Sequence, residues 1–269
     1  MSRPDLPSAA PNGAASLSIS GVKMKSNAMR TAVGVTLLAA GAVAAAAPPA
    51  CGSDALGTSR ILALERTGAA YGRAQHPALP LAPDEVVITF DDGPEPASTP
   101  QVLEALERQC VRATFFMTGE ALARSPALGA QVRAKGHSTG LHGFHHSHFA
   151  SLSEAEQLAD LRIAQETHER VFGARTAAWR FPFLEETAPL LAALKAQDIT
   201  VMSVDVGIDD WLPEQTPAML TARLLERLKA SHGGIILLHD VQKQTATALP
   251  SMLKALKDNG YRVVHLEWP

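Results

Sequence analysis

Two short clusters of ionisable side chains have the types and spacing needed to bind and use a metal ion. Asp91 and Asp92 are adjacent, and His142 and His146 are four residues apart. Histidines at that spacing meet on one face of a helical turn, where two imidazoles can share a cation. One aspartate and two histidines leave coordination positions open, as in a catalytic metal site. We therefore predict that Asp92, His142 and His146 bind a divalent metal and that Asp91 is the catalytic base.

Each cluster also has an alternative interpretation. The TFDDGP segment, residues 89–94, could be a turn in which an aspartate caps the following helix. In the second cluster, five histidines lie within twelve residues, which favours a metal site, but His145 or His148 could replace His146 as a ligand. A bound divalent ion would lower the pKa of its water towards ~7 and polarise a carbonyl group. Zinc is the expected metal, and cobalt, nickel or iron suit the same ligands.

Three further polar groups could complete an acid–base site. Arg180 is placed to orient Asp91, with a surface ion pair as the alternative. His239 leaves an apolar strand and suits a general acid whose pKa is set by a nearby carboxylate, although a core histidine would give the same pattern. Either Asp205 or Asp210 could be that carboxylate.

Strand-like and helical segments alternate along the chain and must position these residues. The strand-like runs are residues 85–90, 113–119, 136–142, 177–183, 199–206, 234–240 and 261–266. Regular alternation predicts an α/β fold with a parallel sheet, either open or closed as a barrel. The ionisable residues fall at the carboxyl ends of five strands, the edge where such folds build their sites. One helix, residues 152–173, begins with a capping box of Ser153 and Glu156.

The composition is that of an ordinary globular protein. The 269 residues are 46% hydrophobic and 19% charged, and the formal net charge of −3 argues against nucleic-acid binding. The two cysteines, Cys51 and Cys110, form no zinc-ribbon pattern; they could form a disulfide or remain two free buried thiols. Nothing in the sequence indicates an obligate protein partner.

The first fifty residues have the layout of a leader and signal peptide. Lys23, Lys25 and Arg30 precede an uncharged apolar run that ends in three alanines, residues 45–47. This layout predicts an exported protein, periplasmic or secreted; an uncleaved anchor helix is the alternative. We predict three parts: a leader over residues 1–50, an extended lead-in over residues 51–83, and a single catalytic domain over residues 84–269.

Five motifs, taken in order, resemble the polysaccharide deacetylases of carbohydrate esterase family 4. They are TFDDGP, the HxxxH of His142 and His146, RFPF at 180–183, DDW at 209–211 and GIILLHD at 234–240. The resemblance covers about residues 84–266. It implies a distorted (β/α)7 barrel with a divalent metal, usually zinc, that removes N-acetyl groups from amino sugars. The implied substrate is an acetylated amino-sugar polymer or oligomer: peptidoglycan, chitin oligosaccharide or an exopolysaccharide.

The resemblance also assigns a role to each matching position. Asp91 would be the base oriented by Arg180, and Asp92, His142 and His146 would be the metal ligands. His239 would protonate the leaving amine, with its pKa tuned by Asp210. Substrate contacts would come from the backbone N–H of Phe183 at an oxyanion hole, and from Trp211 and Leu237 around the acetyl group.

Two positions depart from the family pattern. Gly143 stands where the family usually has Ser or Thr, which removes a hydroxyl that stabilises the loop and predicts weaker metal binding. Phe183 replaces a Tyr, with little effect if only its backbone is used. Rival functions are an acetylxylan-type O-acetyl esterase, a small-molecule amidohydrolase and a non-catalytic carbohydrate-binding barrel.

Overall fold

The β-branched and aromatic runs form the strands of one sheet in the computed structural model, which describes residues 51–52 and 54–269. The ten strands of this described part are β1 (Thr58–Ala63), β2 (Ala70–Tyr71), β3 (Glu85–Asp91), β4 (Thr114–Met117), β5 (Ser138–Leu141), β6 (Ala178–Trp179), β7 (Thr200–Met202), β8 (Val206–Gly207), β9 (Gly234–His239) and β10 (Arg262–Glu267). Every pairing between them is parallel. The prediction of a single α/β domain with a mainly parallel sheet is confirmed. The predicted leader, residues 1–50, lies outside the described residues.

Helices alternate with the strands over most of the described chain. They are α1 (Thr99–Arg108), α2 (Gly119–Arg124), α3 (Pro126–Ala134), α4 (Glu154–Phe172), α5 (Ala188–Ala196), α6 (Pro217–Ser231) and α7 (Lys243–Asp258). The helix α4 begins with the predicted capping box, in which Ser153 and Glu156 satisfy each other's backbone N–H groups. None of the helices in the described part is both long and apolar enough to cross a bilayer.

The strands follow one another around a distorted barrel. The order β9-β3-β4-β5-β6-β7 is continuous, and β8 pairs with the other side of β9. The predicted strand at residues 199–206 is therefore two strands, because the backbone N–H of Ser203 bonds to Tyr71 while that of Asp205 bonds to Ile235. Residues between β7 and β8 thus carry the chain from one edge of the sheet to the other.

The alternation of side chains along β3 places Asp91 inside the barrel. Val86, Ile88 and Phe90 pack in the layer between the sheet and the helices, and all three are fully buried. Val87 points the other way, into the interior cluster. Because side chains alternate with period two, Asp91 shares the interior face with Val87 at the rim.

The lead-in contributes strands of its own, so the sheet begins before residue 84. β1 pairs with β10, and β2 pairs with β7. Neither strand has a fully buried side chain, which is why the sequence lacked a strong hydrophobic run there. Of the two alternatives for the cysteines, the structure has the disulfide: Cys51 and Cys110 are bonded, with Cα atoms 6.0 Å apart.

Candidate functional site

The structure brings Asp92, His142 and His146 together at the carboxyl end of the sheet. Asp92 Oδ1 lies 3.2 Å from His146 Nε2 and 3.5 Å from His142 Nε2, and the three candidate ligand atoms all lie within 4.8 Å of one another. Asp92 Oδ1 is buried and accepts no well-aligned hydrogen bond from the described residues. A buried oxygen without a donor is costly unless a cation satisfies it. The donor set, one oxygen and two imidazole nitrogens, fits zinc or a related divalent ion.

His142 is held in the tautomer that a metal ligand needs. Its Nδ1–H donates to the backbone carbonyl of Arg180 at 2.9 Å, so that the lone pair of Nε2 faces Asp92. Burial lowers the pKa of His142, and the nearby carboxylates of Asp91 and Asp92 oppose that effect. The imidazole is therefore neutral at ordinary pH, as coordination requires.

His146, rather than either of its neighbours, reaches Asp92. His145 Nδ1 is 2.9 Å from a carboxylate of α4, and His148 Nδ1 is 2.9 Å from Glu185. The turn that aims His146 inward gives it a φ of +54°, and Asp92 has a φ of +77°. Both residues thus occupy the left-handed region, which non-glycine residues adopt rarely and often at functional sites.

Asp160 supports the histidine loop, and the sequence analysis did not identify it. Its carboxylate, buried in α4, accepts hydrogen bonds from the backbone N–H groups of Phe144 at 2.7 Å and His145 at 3.2 Å. Gly143 has a φ of +74°, where a Ser or Thr would be strained. The loop thus has a support other than a hydroxyl at position 143. An aspartate on the buried face of α4, next to Leu161, was the available signal.

Arg180 fixes the orientation of Asp91. The guanidinium is fully buried and donates from Nη1 to Asp91 Oδ1 at 2.7 Å and to Thr89 Oγ1 at 2.8 Å. Its remaining donors bond to the backbone carbonyls of residues 202 and 203 at 3.0 and 3.1 Å, and it stacks 4.2 Å from the Phe116 ring centroid. Burial lowers the pKa of Arg180, whereas Asp91 opposes this shift. The pairing expected from the sequence is present, and its setting is buried rather than at the surface.

His239 and Asp91 end neighbouring strands in direct register, β9 beside β3. Asp210, also fully buried, lies 2.8 Å from His239 Nδ1 and accepts the backbone N–H of His239 at 2.8 Å. Burial lowers the pKa of His239, but the hydrogen bond and charge of Asp210 outweigh it and raise the pKa to about 9. Asp205 instead accepts hydrogen bonds from the backbone N–H groups of Arg73 and Ile235. Of the two candidates, Asp210 is therefore the one that contacts His239.

Asp240 holds the turn that carries the two aspartates. Its carboxylate accepts the backbone N–H of Gly93 at 3.1 Å and the hydroxyl of Thr99. Burial raises the pKa of Asp240 to about 7; the Thr99 hydrogen bond lowers it, and the charge of Asp92 adds to the rise. The carboxylate occupies the space that a side chain at Gly93 would need, which explains the glycine there.

The candidate ligands, base and acid line one pocket of about 450 Å³. Leu237 is at its wall, and the exposed rings of Trp211 and Phe183 are at its mouth. The Trp211 ring stands edge-on to His239 at 5.4 Å. Phe183 has a φ of +56°, and its N–H donates to no backbone carbonyl of the described residues. Eight of the ten residues predicted for the site line this pocket, and Leu184 lines it as well. The other two, Arg180 and Asp210, lie behind it and contact Asp91 and His239.

Comparison with known proteins identifies the family. The polysaccharide deacetylase family model matches residues 79–202. A chitin deacetylase of Colletotrichum lindemuthianum is 31% identical over 194 residues, which cover 68% of this chain and 77% of that protein. The Bdellovibrio bacteriovorus peptidoglycan deacetylase Bd3279 has a similar structure, with a TM-score of 0.70 and 30% identity over 78% of this chain. The chain belongs to the polysaccharide deacetylase family, as its motifs indicated.

The chain is shorter than several of its relatives. Peptidoglycan-N-acetylmuramic acid deacetylase PdaC of Bacillus subtilis is 30% identical over 179 residues, which cover 66% of this chain but 37% of that protein. The Bdellovibrio match covers 58% of that chain. The shared part is thus the deacetylase domain, and the relatives contain further sequence outside the matched region.

We predict that replacing Asp160 with Ala weakens metal binding about 10- to 100-fold, because the loop carrying His146 loses its buried support. The measurement is competition of the protein with a zinc chelator. Glu169→Ala, an exposed change on the same helix, is the control and should leave affinity unaltered. Equal affinities for both variants would contradict the role given to Asp160.

Proposed function

We propose that this protein is a metal-dependent hydrolase that removes N-acetyl groups from N-acetylglucosamine units of a polysaccharide and releases acetate. The observation that carries the proposal is the register of β3 and β9, which places Asp91 and His239 side by side in one pocket that Asp92 also lines. Family membership supports the same reaction. The relatives named as peptidoglycan and chitin deacetylases support peptidoglycan or chitin oligosaccharide as the substrate, and an exopolysaccharide is the alternative.

Asp92, His142 and His146 would hold the metal, with zinc as the expected ion and cobalt, nickel or iron as alternatives. When bound, the ion would act as a Lewis acid that polarises the acetyl carbonyl and acidifies a water molecule. The neutral state of His142 and the unsatisfied oxygen of Asp92 support this assignment.

Asp91 would be the general base. Arg180 engages Oδ1 of this carboxylate, which leaves Oδ2, 3.7 Å from His142 Nε2, to accept a proton at the pocket floor. The fixed guanidinium prevents the carboxylate from rotating, so that the accepting oxygen is already positioned when the substrate arrives. Proton removal from the attacking water then coincides with attack on the acetyl carbon.

His239 would be the general acid, and its pKa favours an amide substrate. An amine leaves a tetrahedral intermediate only after its nitrogen is protonated, whereas an ester alcohol depends less on such a donor. With a pKa raised to about 9, His239 carries its proton at neutral pH. A non-catalytic carbohydrate-binding barrel would have no use for this acid, and an O-acetyl esterase would need it less. Both alternatives are therefore weaker than N-deacetylation.

The remaining pocket groups would position the sugar. The free N–H of Phe183 would donate to the developing oxyanion, and Leu237 would contact the acetyl methyl group. Trp211 is 48% exposed at the mouth, where an aromatic face can pack against a sugar ring. An apolar wall residue beneath an aromatic rim suits a polymer whose reacting group enters the pocket while the rest of the polymer stays outside.

Export to the cell envelope or beyond fits such a substrate. We propose that residues 1–50 are the leader and signal peptide, that the protein is periplasmic or secreted, and that residues 84–269 carry the activity. The disulfide between Cys51 and Cys110 supports an oxidising compartment, because such bonds are rare where thiols are kept reduced.

Acetate release tests the proposed reaction directly. Chitin oligomers, peptidoglycan, acetylxylan and simple acetamides should be compared, each with and without a chelator. We expect chelator-sensitive release from the N-acetylated sugars and little from the others. Preferential release from acetylxylan or from simple amides would replace N-deacetylation with one of the rival functions.

Replacing Asp91 with Asn should lower kcat for acetate release about 10²- to 10⁴-fold while the protein still binds metal, since the base is lost but the three ligands remain. Steady-state kinetics and metal analysis of the same preparation check this. Cooperative thermal melting must accompany them, because the change leaves Arg180 without its carboxylate. Asp258→Asn, at an exposed ion pair, is the control. Full activity of the Asp91 variant would exclude it as the base.

The pH profile should report the protonation of His239. The raised pKa of His239, about 9 without the cation, keeps the acid form at neutral pH. A bound cation lowers this pKa, so kcat/KM should fall as the pH rises from neutral towards about 9. Asp210→Asn removes the carboxylate charge, and the alkaline limb should move to lower pH. An unchanged limb in that variant would show that another group controls it.

A further inference from the structure

A second cavity, of about 440 Å³, lies at the other end of the barrel from the candidate metal site. Ser138 begins β5 and lines this cavity, whereas His142 follows the last residue of β5 and lines the metal-site pocket. Ser138 and His142 are four positions apart, which is about 13 Å along an extended chain. The two pockets share no lining residue, so this cavity belongs to neither the acid–base pair nor the ligands.

Four arginines line this cavity, which we call the basic cavity. Arg66, Arg133 and Arg175 come from three separate segments and have no carboxylate within 4.0 Å among the described residues. They bond instead to carbonyl or amide oxygens at 2.9 to 3.3 Å. The fourth, Arg112, pairs with Glu267 at 3.1 Å, and Glu267 is the one acidic side chain among the lining residues. Among the lining side chains, four guanidinium groups therefore face a single carboxylate, which gives the basic cavity an excess of positively charged side chains.

Three buried histidines, His137, His168 and His265, line the basic cavity. His137 is 5% exposed, and its Nδ1 accepts the backbone N–H of Ala113, so Nε2 carries a proton that it can donate. His265 is 2% exposed, and its Nδ1 is buried without a hydrogen-bond partner in the described structure. Burial, reinforced by neighbouring cations, lowers the pKa of His137 to about 4 and that of His265 to about 3. The imidazoles of His137 and His265 are therefore neutral at ordinary pH, and His137 Nε2–H would donate a hydrogen bond to an anion held by the guanidinium groups.

We propose that the basic cavity binds a phosphate-class oxyanion, either free phosphate or the phosphate group of a larger molecule. Arg66, Arg133 and Arg175 are the expected contacts, with His137 Nε2–H as a neutral donor from the inner wall. A planar carboxylate is satisfied by one guanidinium fork, whereas three guanidiniums from separate segments match the several oxygens and roughly double charge of a phosphate. The volume leaves room for a substituent on the phosphate, such as a sugar.

Calorimetric titration of the whole protein with inorganic phosphate, at constant ionic strength, tests this site. The double variant Arg133→Gln/Arg175→Gln should bind phosphate at least about tenfold more weakly. Arg170→Gln is the matched control: Arg170 is exposed in the last turn of α4 and lies outside the cavity, so affinity should change less than about twofold. Circular dichroism should show the same melting for all three proteins. Because a metal at Asp92 could also bind phosphate, the arginine dependence, rather than binding alone, decides the outcome.

Parallel titrations with glucose 6-phosphate and citrate identify the source of the oxyanion. Tighter binding of glucose 6-phosphate than of phosphate would assign the cavity to a sugar phosphate, and equal binding would assign it to free phosphate; both results support the proposal. It is overturned by the absence of phosphate binding at about 10 mM, by an equal loss in the Arg170 control, or by tighter binding of the tricarboxylate citrate.

Discussion

The buried contact between Arg180 and Asp91 is the interaction on which the rest of the site depends. A guanidinium without solvent is tolerated only when its nitrogens have partners. Beside Asp91, the partners here are Thr89 and the backbone carbonyls of residues 202 and 203 at the end of β7, and the Phe116 ring covers the guanidinium. The backbone carbonyl of the same arginine accepts Nδ1–H of His142. One residue therefore orients both the proposed base and a proposed metal ligand, so that a shift of β6 would disturb both together.

Asp91 and Asp92 are adjacent at the end of β3, yet one is the proposed base and the other a proposed metal ligand. The strand alternation directs Asp91 into the barrel, where it is 2% exposed under Arg180. The chain then reverses through the left-handed conformation of Asp92, which turns the second carboxylate towards the histidines. Asp240 fixes this reversal by accepting the N–H of Gly93. A base and a ligand can thus be neighbours in sequence because the backbone between them changes direction.

The sequence could predict what depends on periodicity and on strand ends. Alternation in β3 and polar residues after β3, β5 and β9 were sufficient for the parallel sheet and for the convergence of Asp91, His142 and His239. It favoured His146 but left His145 and His148 as alternatives, because the choice depends on a loop path held by Asp160 from a different helix. Nor could it choose between Asp205 and Asp210, because the irregular path between β7 and β8 decides which one faces His239. The sequence analysis did not identify the edge strand β1, because this strand buries no continuous apolar face.

The carboxylates at the metal end link the pKa values of the groups around them. Carboxylates at Asp91, Asp92 and Asp210 help to keep the proton on His239, and the charge of Asp92 adds to the raised pKa of Asp240. The same negative field attracts a divalent cation to Asp92. A cation held there would lower the pKa values of both His239 and Asp240. The metal and the proton on His239 are therefore stabilised by the same carboxylates. Asp210 is hydrogen-bonded directly to His239 Nδ1, so it is the carboxylate best placed to keep His239 protonated when the cation is present. Its role therefore differs from those of Asp91 and Asp92.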